Sequence, residues 1–102
     1  MWNGLLPIGS VVSIQGGSSR LMILASGVVM DYDHKKVYDY CSCPFPQGFS
    51  NHENMIMFNR DAIEDIYCVG YLSPEGEEYR KRAEENIKGL RDGTILFDSN
   101  DN

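Results

Sequence analysis

The sequence is poor in the features that announce most functions. None of its apolar runs is long enough to cross a bilayer. The opening Met1-Trp2-Asn3-Gly4-Leu5-Leu6-Pro7 lacks both the basic region and the long apolar segment of a secretory leader. A cytoplasmic location is therefore expected, with no membrane partner. Only three cysteines occur, Cys41, Cys43 and Cys68, an odd number that makes no disulfide framework. Buried thiols are the expectation for all three. Cys41-x-Cys43 is shorter than a zinc knuckle, and adding His34 and His52 does not supply the repeated knuckle of a structural site, so no metal is expected. Asp31-x-Asp33 opens like a calcium loop, but Lys36 stands at the sixth loop position, where glycine is needed, and Ser42 at the twelfth, where glutamate is needed.

Basic charge is also scarce. Nine Lys and Arg stand against 15 Asp and Glu, a net charge of −6. The imbalance lies entirely in residues 61–102, which carry eleven acids and five bases, whereas residues 1–60 carry four of each. An acidic surface repels phosphate backbones and anionic headgroups, which excludes nucleic acid as the expected partner. Catalytic signatures are missing too: no serine sits in a nucleophile elbow, and no glycine-rich phosphate loop precedes a helix. Both histidines fall in predicted loops beside charged residues. The chain is read as a non-enzyme that requires no cofactor.

What is present is enough for one modest core: 102 residues, 42% apolar, with eleven aromatics. Residues 1–93 are expected to form a single α+β domain, and residues 94–102 a tail that is partly disordered beyond the short apolar Thr94-Ile95-Leu96-Phe97. Ser10–Gln15 and Arg20–Ala25 are strand-like runs around Gly16-Gly17-Ser18-Ser19, a hairpin signature. Val28–Tyr32 and Lys36–Tyr40 bracket the polar turn Asp33-His34-Lys35 and predict a second hairpin. Cys43-Pro44-Phe45-Pro46-Gln47-Gly48-Phe49 reads as a loop. Asn54–Phe58 and Asp65–Tyr71 read as further strands. Alternation in the latter places Ile66, Cys68 and Gly70 on one face and Tyr67, Val69 and Tyr71 on the other.

Ser73-Pro74-Glu75 is a helix start, with a hydroxyl at the N-cap, proline at the first helical position and acids near the positive dipole end. The helix is predicted to run to about Leu90, docking through Tyr79, Ala83, Ile87 and Leu90, before Arg91-Asp92-Gly93 stops it. The fold class that follows is α+β: about five antiparallel strands as a curved sheet or partly open small barrel, packed by one C-terminal helix.

Aromatics crowd the centre of the chain: Tyr32, Tyr38, Tyr40, Phe45, Phe49, Phe58, Tyr67 and Tyr71. Most are needed to fill the core of a small sheet capped by one helix. The remainder are candidates for a partner-binding surface, for which Tyr38, Tyr40, Phe45, Pro46 and Phe49 are the residues singled out.

Three blocks of this sequence resemble a known family. Leu5-Leu6-Pro7-Ile8-Gly9-Ser10-Val11-Val12, with Gly16-Gly17 and Leu21-Met22-Ile23, is similar to the start of domain-of-unknown-function family 4176. Tyr38-Asp39-Tyr40 through Cys43 to Pro46-x-Gly48 resembles its central motif, and Phe58-Asn59 through Ile63 and Ile66-Tyr67 to Gly70-Tyr71 its second. Phe45, Gln47 and Ala62 depart from that pattern. The resemblance implies a cytoplasmic accessory or chaperone protein of Gram-positive bacteria that binds an LXG-type toxin, or a related secretion factor, for type VII secretion. An immunity protein inhibiting the toxin's catalytic domain and a small-ligand-binding protein remain the alternatives.

Overall fold

The Gly16–Ser19 turn does join two antiparallel strands, but the second runs much further than its hydrophobic pattern suggests. The computed structural model describes residues 4–31 and 36–93, without the side chains of residues 28–31. The strands are β1 (Val11–Ile14), β2 (Arg20–Asp31), β3 (Lys36–Phe45), β4 (Ile56–Phe58) and β5 (Ile63–Cys68), followed by helix α1 (Pro74–Asp92). They form one antiparallel sheet in the order β4-β3-β2-β1-β5, with α1 on one face. The architecture is thus the expected α+β one. The predicted turn at Asp33–Lys35 and the tail at 94–102 lie outside the described residues.

β2 was expected as two strands separated near Ser26-Gly27, and it is one. The ladder to β3 shifts register between Ser26 and Val29, and Gly27 takes φ 128°, which a residue with a side chain rarely adopts. A Cβ at Gly27 would stand 2.9 Å from that of Ala83, so α1 packs directly on this bulge. β3 likewise continues through Pro44, beyond the predicted loop boundary at Cys43. β4 reaches along β3 only to Ser42, so Pro44 sits where β3 has become an edge strand and a missing N–H is tolerated. The chain then turns through a cis Phe45–Pro46 bond, closed by Gly48 N–H donating to Pro44 O at 2.8 Å.

In β5 the predicted alternation is overturned. Val11 and Val12 are neighbours on β1 but pair with Cys68 and Ile66, while Ser13 and Ile14 pair with Asp65 and Ile63. Tyr67 and Glu64 are therefore extra residues, each a β-bulge. Two bulges convert a period of two into a period of three: Ile63 and Ile66 pack against the core, and Glu64, Asp65, Tyr67 and Cys68 all face solvent. Cys68 is consequently exposed, against expectation, whereas Cys41 and Cys43 are buried; all three thiols are free.

The core lies between the sheet and α1, and it also receives Leu5 and Leu6 from the N-terminal segment. Leu21, Ile23, Tyr40, Phe58, Ala83 and Ile87 complete its centre. A buried extended segment needs partners for its peptide groups. Leu6 N–H donates to the Tyr40 hydroxyl at 2.9 Å, and the Ser26 hydroxyl donates to Leu6 O. α1 is capped as its sequence demands: Ser73 Oγ accepts from Gly76 N–H at 3.0 Å, and Gly93 closes the helix at φ 85°. Its docking stripe is narrower than predicted. Ala83 and Ile87 are buried and Leu90 half-buried, but Tyr79 is 57% exposed. The Tyr79 ring leans over the bulge at Gly27, its hydroxyl 3.6 Å from where a Cβ would stand there, and leaves its remaining surface in water.

Curvature follows from chain length. β4 and β5 are opposite edges of the sheet, four strand spacings or about 19 Å apart if it were flat. Only five peptide steps join Phe58 to Ile63, a reach of at most about 17 Å when fully extended. Part of that path is a 3-10 turn, Arg60–Ala62. The sheet must curl until its edges approach, and Gln15 N–H donates to Ala62 O at 2.9 Å across that corner.

Candidate partner-binding site

The two edges of the sheet are built differently. β5 is blunted by its two bulges and by the exposed charges of Glu64 and Asp65, both common means of discouraging further strand pairing. β4, Ile56-Met57-Phe58, has neither charge, proline nor bulge, and its ladder to β3 is regular. Phe58 is buried, whereas Ile56 and Met57 are exposed. The strand is held in place by the Ser42 hydroxyl, which donates to Ile56 O at 2.8 Å, and by 3-10 turns at His52–Asn54 and Arg60–Ala62 on either side.

Three of the five residues singled out from sequence stand at the surface near this edge. Phe45 and Phe49 are exposed by 40% and 52%, with Pro46 exposed between them. Phe49 meets His52 edge-on, ring centroids 6.3 Å apart, which links the Pro-Phe-Pro turn to the segment entering β4. Tyr38 is half-buried. Tyr40 is a correction: it is fully buried, packs on Phe58 at 5.3 Å, and spends its hydroxyl on Leu6, so it presents no surface to a partner. Burial also raises the Tyr40 pKa.

Other exposed apolar side chains were not foreseen. Ile8, Tyr71, Leu72 and Tyr79 flank the start of α1, and Pro7, Ile8, Tyr71 and Tyr79 line one groove there. A signal for Leu72 is present in the sequence. It precedes the N-cap, where an apolar residue normally staples to one at the fourth helical position, and that position is Glu77.

Behind β4 lies a charged network with no sequence signature. Asp39 of β3 is fully buried. Its Oδ2 accepts from Arg60 N–H at 2.8 Å and Arg60 Nε at 3.0 Å, and its Oδ1 from Arg60 Nη2 at 3.2 Å, with Arg91 Nη2 at 3.3 Å. The same guanidinium grips Glu84 of α1, Nη1 to Oε2 at 2.7 Å and Nη2 to Oε1 at 2.6 Å. Asn59 Oδ1 accepts from Asp39 N–H and from Arg91 Nη2. Burial pushes the Asp39 pKa up, but the hydrogen bonds and charge of Arg60 outweigh it and leave the carboxyl below its ordinary value. Glu84 is lowered chiefly by its Arg60 hydrogen bonds, and Arg60 is raised by both carboxylates. Both Asp39 oxygens are engaged by guanidinium donors, so this carboxylate is a tether joining β3, the β4–β5 connection and α1. It is not a free base.

The fold is a small α+β domain with an open, curled sheet, one edge of which, β4, is three residues long and carries neither charge, proline nor bulge. The chain belongs to the family described as Domain of unknown function (DUF4176), whose profile matches residues 5–79. No curated protein and no solved structure shows significant similarity to it. Among the described residues, no helix is long and apolar enough to cross a membrane.

Proposed function

We propose that the protein is a non-enzymatic cytoplasmic accessory or chaperone protein that binds an LXG-type toxin destined for type VII secretion, through β4 and the neighbouring Pro-Phe-Pro turn. The toxin assignment rests on the resemblance of the three sequence blocks. The mode of binding rests on one observation: of two sheet edges, β5 carries bulges and charges that hinder pairing, and β4, though only three residues long, carries neither. A client strand added to β4 gains main-chain hydrogen bonds that tolerate variation in its side chains, while Phe45 and Phe49 provide anchors for selectivity.

The experiment is co-expression of the chain with separate fragments of the toxin, followed by capture. A chaperone retains the non-catalytic LXG or middle region, and Met57→Lys and Phe49→Ser variants that melt like wild type retain less of it. Retention and silencing of the catalytic domain alone identifies an immunity protein instead. Undiminished capture by both correctly folded variants removes this edge from consideration.

A further inference from the structure

The bare edge is flanked by charge of one sign. Glu53 lies three residues before β4 and Asp61 three residues after it, both exposed. Apart from the imidazole of His52, which meets Phe49 edge-on, the only base among residues 50–62 is Arg60, whose guanidinium is already held by Asp39 and Glu84. Two occupants would complete the ladder: a second copy of the chain, or an extended segment of another polypeptide. Pairing β4 with itself about a two-fold axis sets Ile56 against Phe58 of the copy. Each 3-10 turn that flanks the strand carries an acid, Glu53 in His52–Asn54 and Asp61 in Arg60–Ala62, and the two-fold pairing sets each turn beside the other turn of the copy, acid near acid. Each copy also carries a net charge of −6. Area argues the same way. Ile56, Met57, Phe45 and Phe49 are 37%, 40%, 40% and 52% exposed. For side chains of roughly 200 Å² each, that leaves about 350 Å² of apolar surface, well short of the roughly 800 Å² per partner of a stable interface.

Resting on the strand-addition reading above, we infer that the occupant of β4 is an extended segment of a different polypeptide, with alternating apolar residues and Lys or Arg at both ends. Its centre pairs with Ile56-Met57-Phe58, and its basic ends meet Glu53 and Asp61. Attraction between these acidic turns and basic ends favours this arrangement, and salt weakens it.

The test uses two labelled synthetic peptides with the same alternating Val and Thr core, one ending in Lys pairs and the other in Glu pairs, titrated by fluorescence anisotropy. Wild-type protein is expected to bind the Lys-ended peptide at least tenfold more tightly at low salt, with the preference shrinking as salt rises. Glu53→Lys combined with Asp61→Lys, both at exposed positions, should reverse the preference without lowering the melting temperature. Equal binding of the two peptides, binding of neither, or a concentration-dependent dimer abolished by Met57→Lys would each overturn the inference. Capture of the toxin fragment separates it from the broader reading. Loss with Met57→Lys but not with the double charge reversal refutes the basic ends alone, and survival in both refutes the edge itself.

Discussion

A Cβ added to Gly70 would stand 2.1 Å from the carbonyl oxygen of Ile8. The two segments that meet here are the approach to β1 and the exit from β5, and Gly70 N–H donates to Ser10 Oγ at 3.0 Å while Ser10 Oγ donates to Pro7 O at 2.8 Å. Backbone lies on both sides, so no flexible side chain can yield. Gly70→Ala is expected to destabilise the fold by about 2 kcal/mol or more. Gly17→Ala, whose new Cβ meets only Ile14 atoms at 3.2 Å and beyond, should cost less than Gly70→Ala. Denaturant melts of the two variants check the ranking.

Breaking the Asp39–Arg60 pair should be more damaging than its position beside a surface turn suggests. Arg60→Met takes the guanidinium from a buried carboxylate and leaves it only the residue-60 N–H and Arg91, a loss of about 2 kcal/mol or more. Arg60→Lys keeps the charge but loses the planar fork that serves two carboxylates at once, and should recover only part of the stability. Urea unfolding of wild type and both variants measures this, and near-equal midpoints for wild type and Arg60→Met would show the network to be dispensable.

Acid should loosen the same network. Asp39 and Glu84 both titrate below their ordinary values of 3.8 and 4.5 in the folded chain, so the unfolded chain takes up their protons first as pH falls. Their contribution is complete above those ordinary values and is lost as pH drops through them toward the lowered folded ones. Thermal melts between pH 7 and pH 3 should show a fall in this window that is shallower for Asp39→Asn than for wild type. An unchanged acid slope in that variant would remove Asp39 from the explanation.

The helix stripe gives a graded series. Ile87 is 2% exposed in the core, and Ile87→Asp places an unpaired carboxylate there at a cost of several kcal/mol, roughly enough to unfold a domain of this size. Glu85→Lys on the solvated side should change stability by less than about 0.5 kcal/mol. Tyr79→Ser should cost far less than Ile87→Asp because most of the ring is already in water. Far-ultraviolet circular dichroism with temperature ranks the three.

Local chemistry was legible where it is self-contained. Gly16-Gly17 marks the first hairpin, Ser73-Pro74 the helix start and Gly93 its end, because each acts through its own backbone or its immediate neighbours. What pattern could not reveal depends on residues far apart. The continuity of β2 across Gly27 follows from its pairing with β3 on both sides of the bulge, where Ala83 of the helix leaves no room for a side chain. The period-three exposure of β5 is decided by its register against β1. Tyr40 looks like any exposed aromatic in a Tyr-Asp-Tyr run until Leu6 arrives, 34 residues away, to use its hydroxyl. Asp39, Arg60, Glu84 and Arg91 come from three separate elements, and no spacing rule connects them.

The ladder between β1 and β5 has a bearing on the order of assembly. Val11 finds Cys68 only after 57 further residues have been made, whereas β2 and β3 are chain neighbours and can zip as soon as both exist. During synthesis the outer side of β1 therefore stays unpaired until the last strand appears, and the apolar Val11 and Val12 wait beside it. The bulges of β5 guard an edge in the finished molecule, but the growing chain carries an unguarded one in β1. A slow step, or a need for protection by other proteins, is to be sought in the interval before Ile63–Cys68 takes its place.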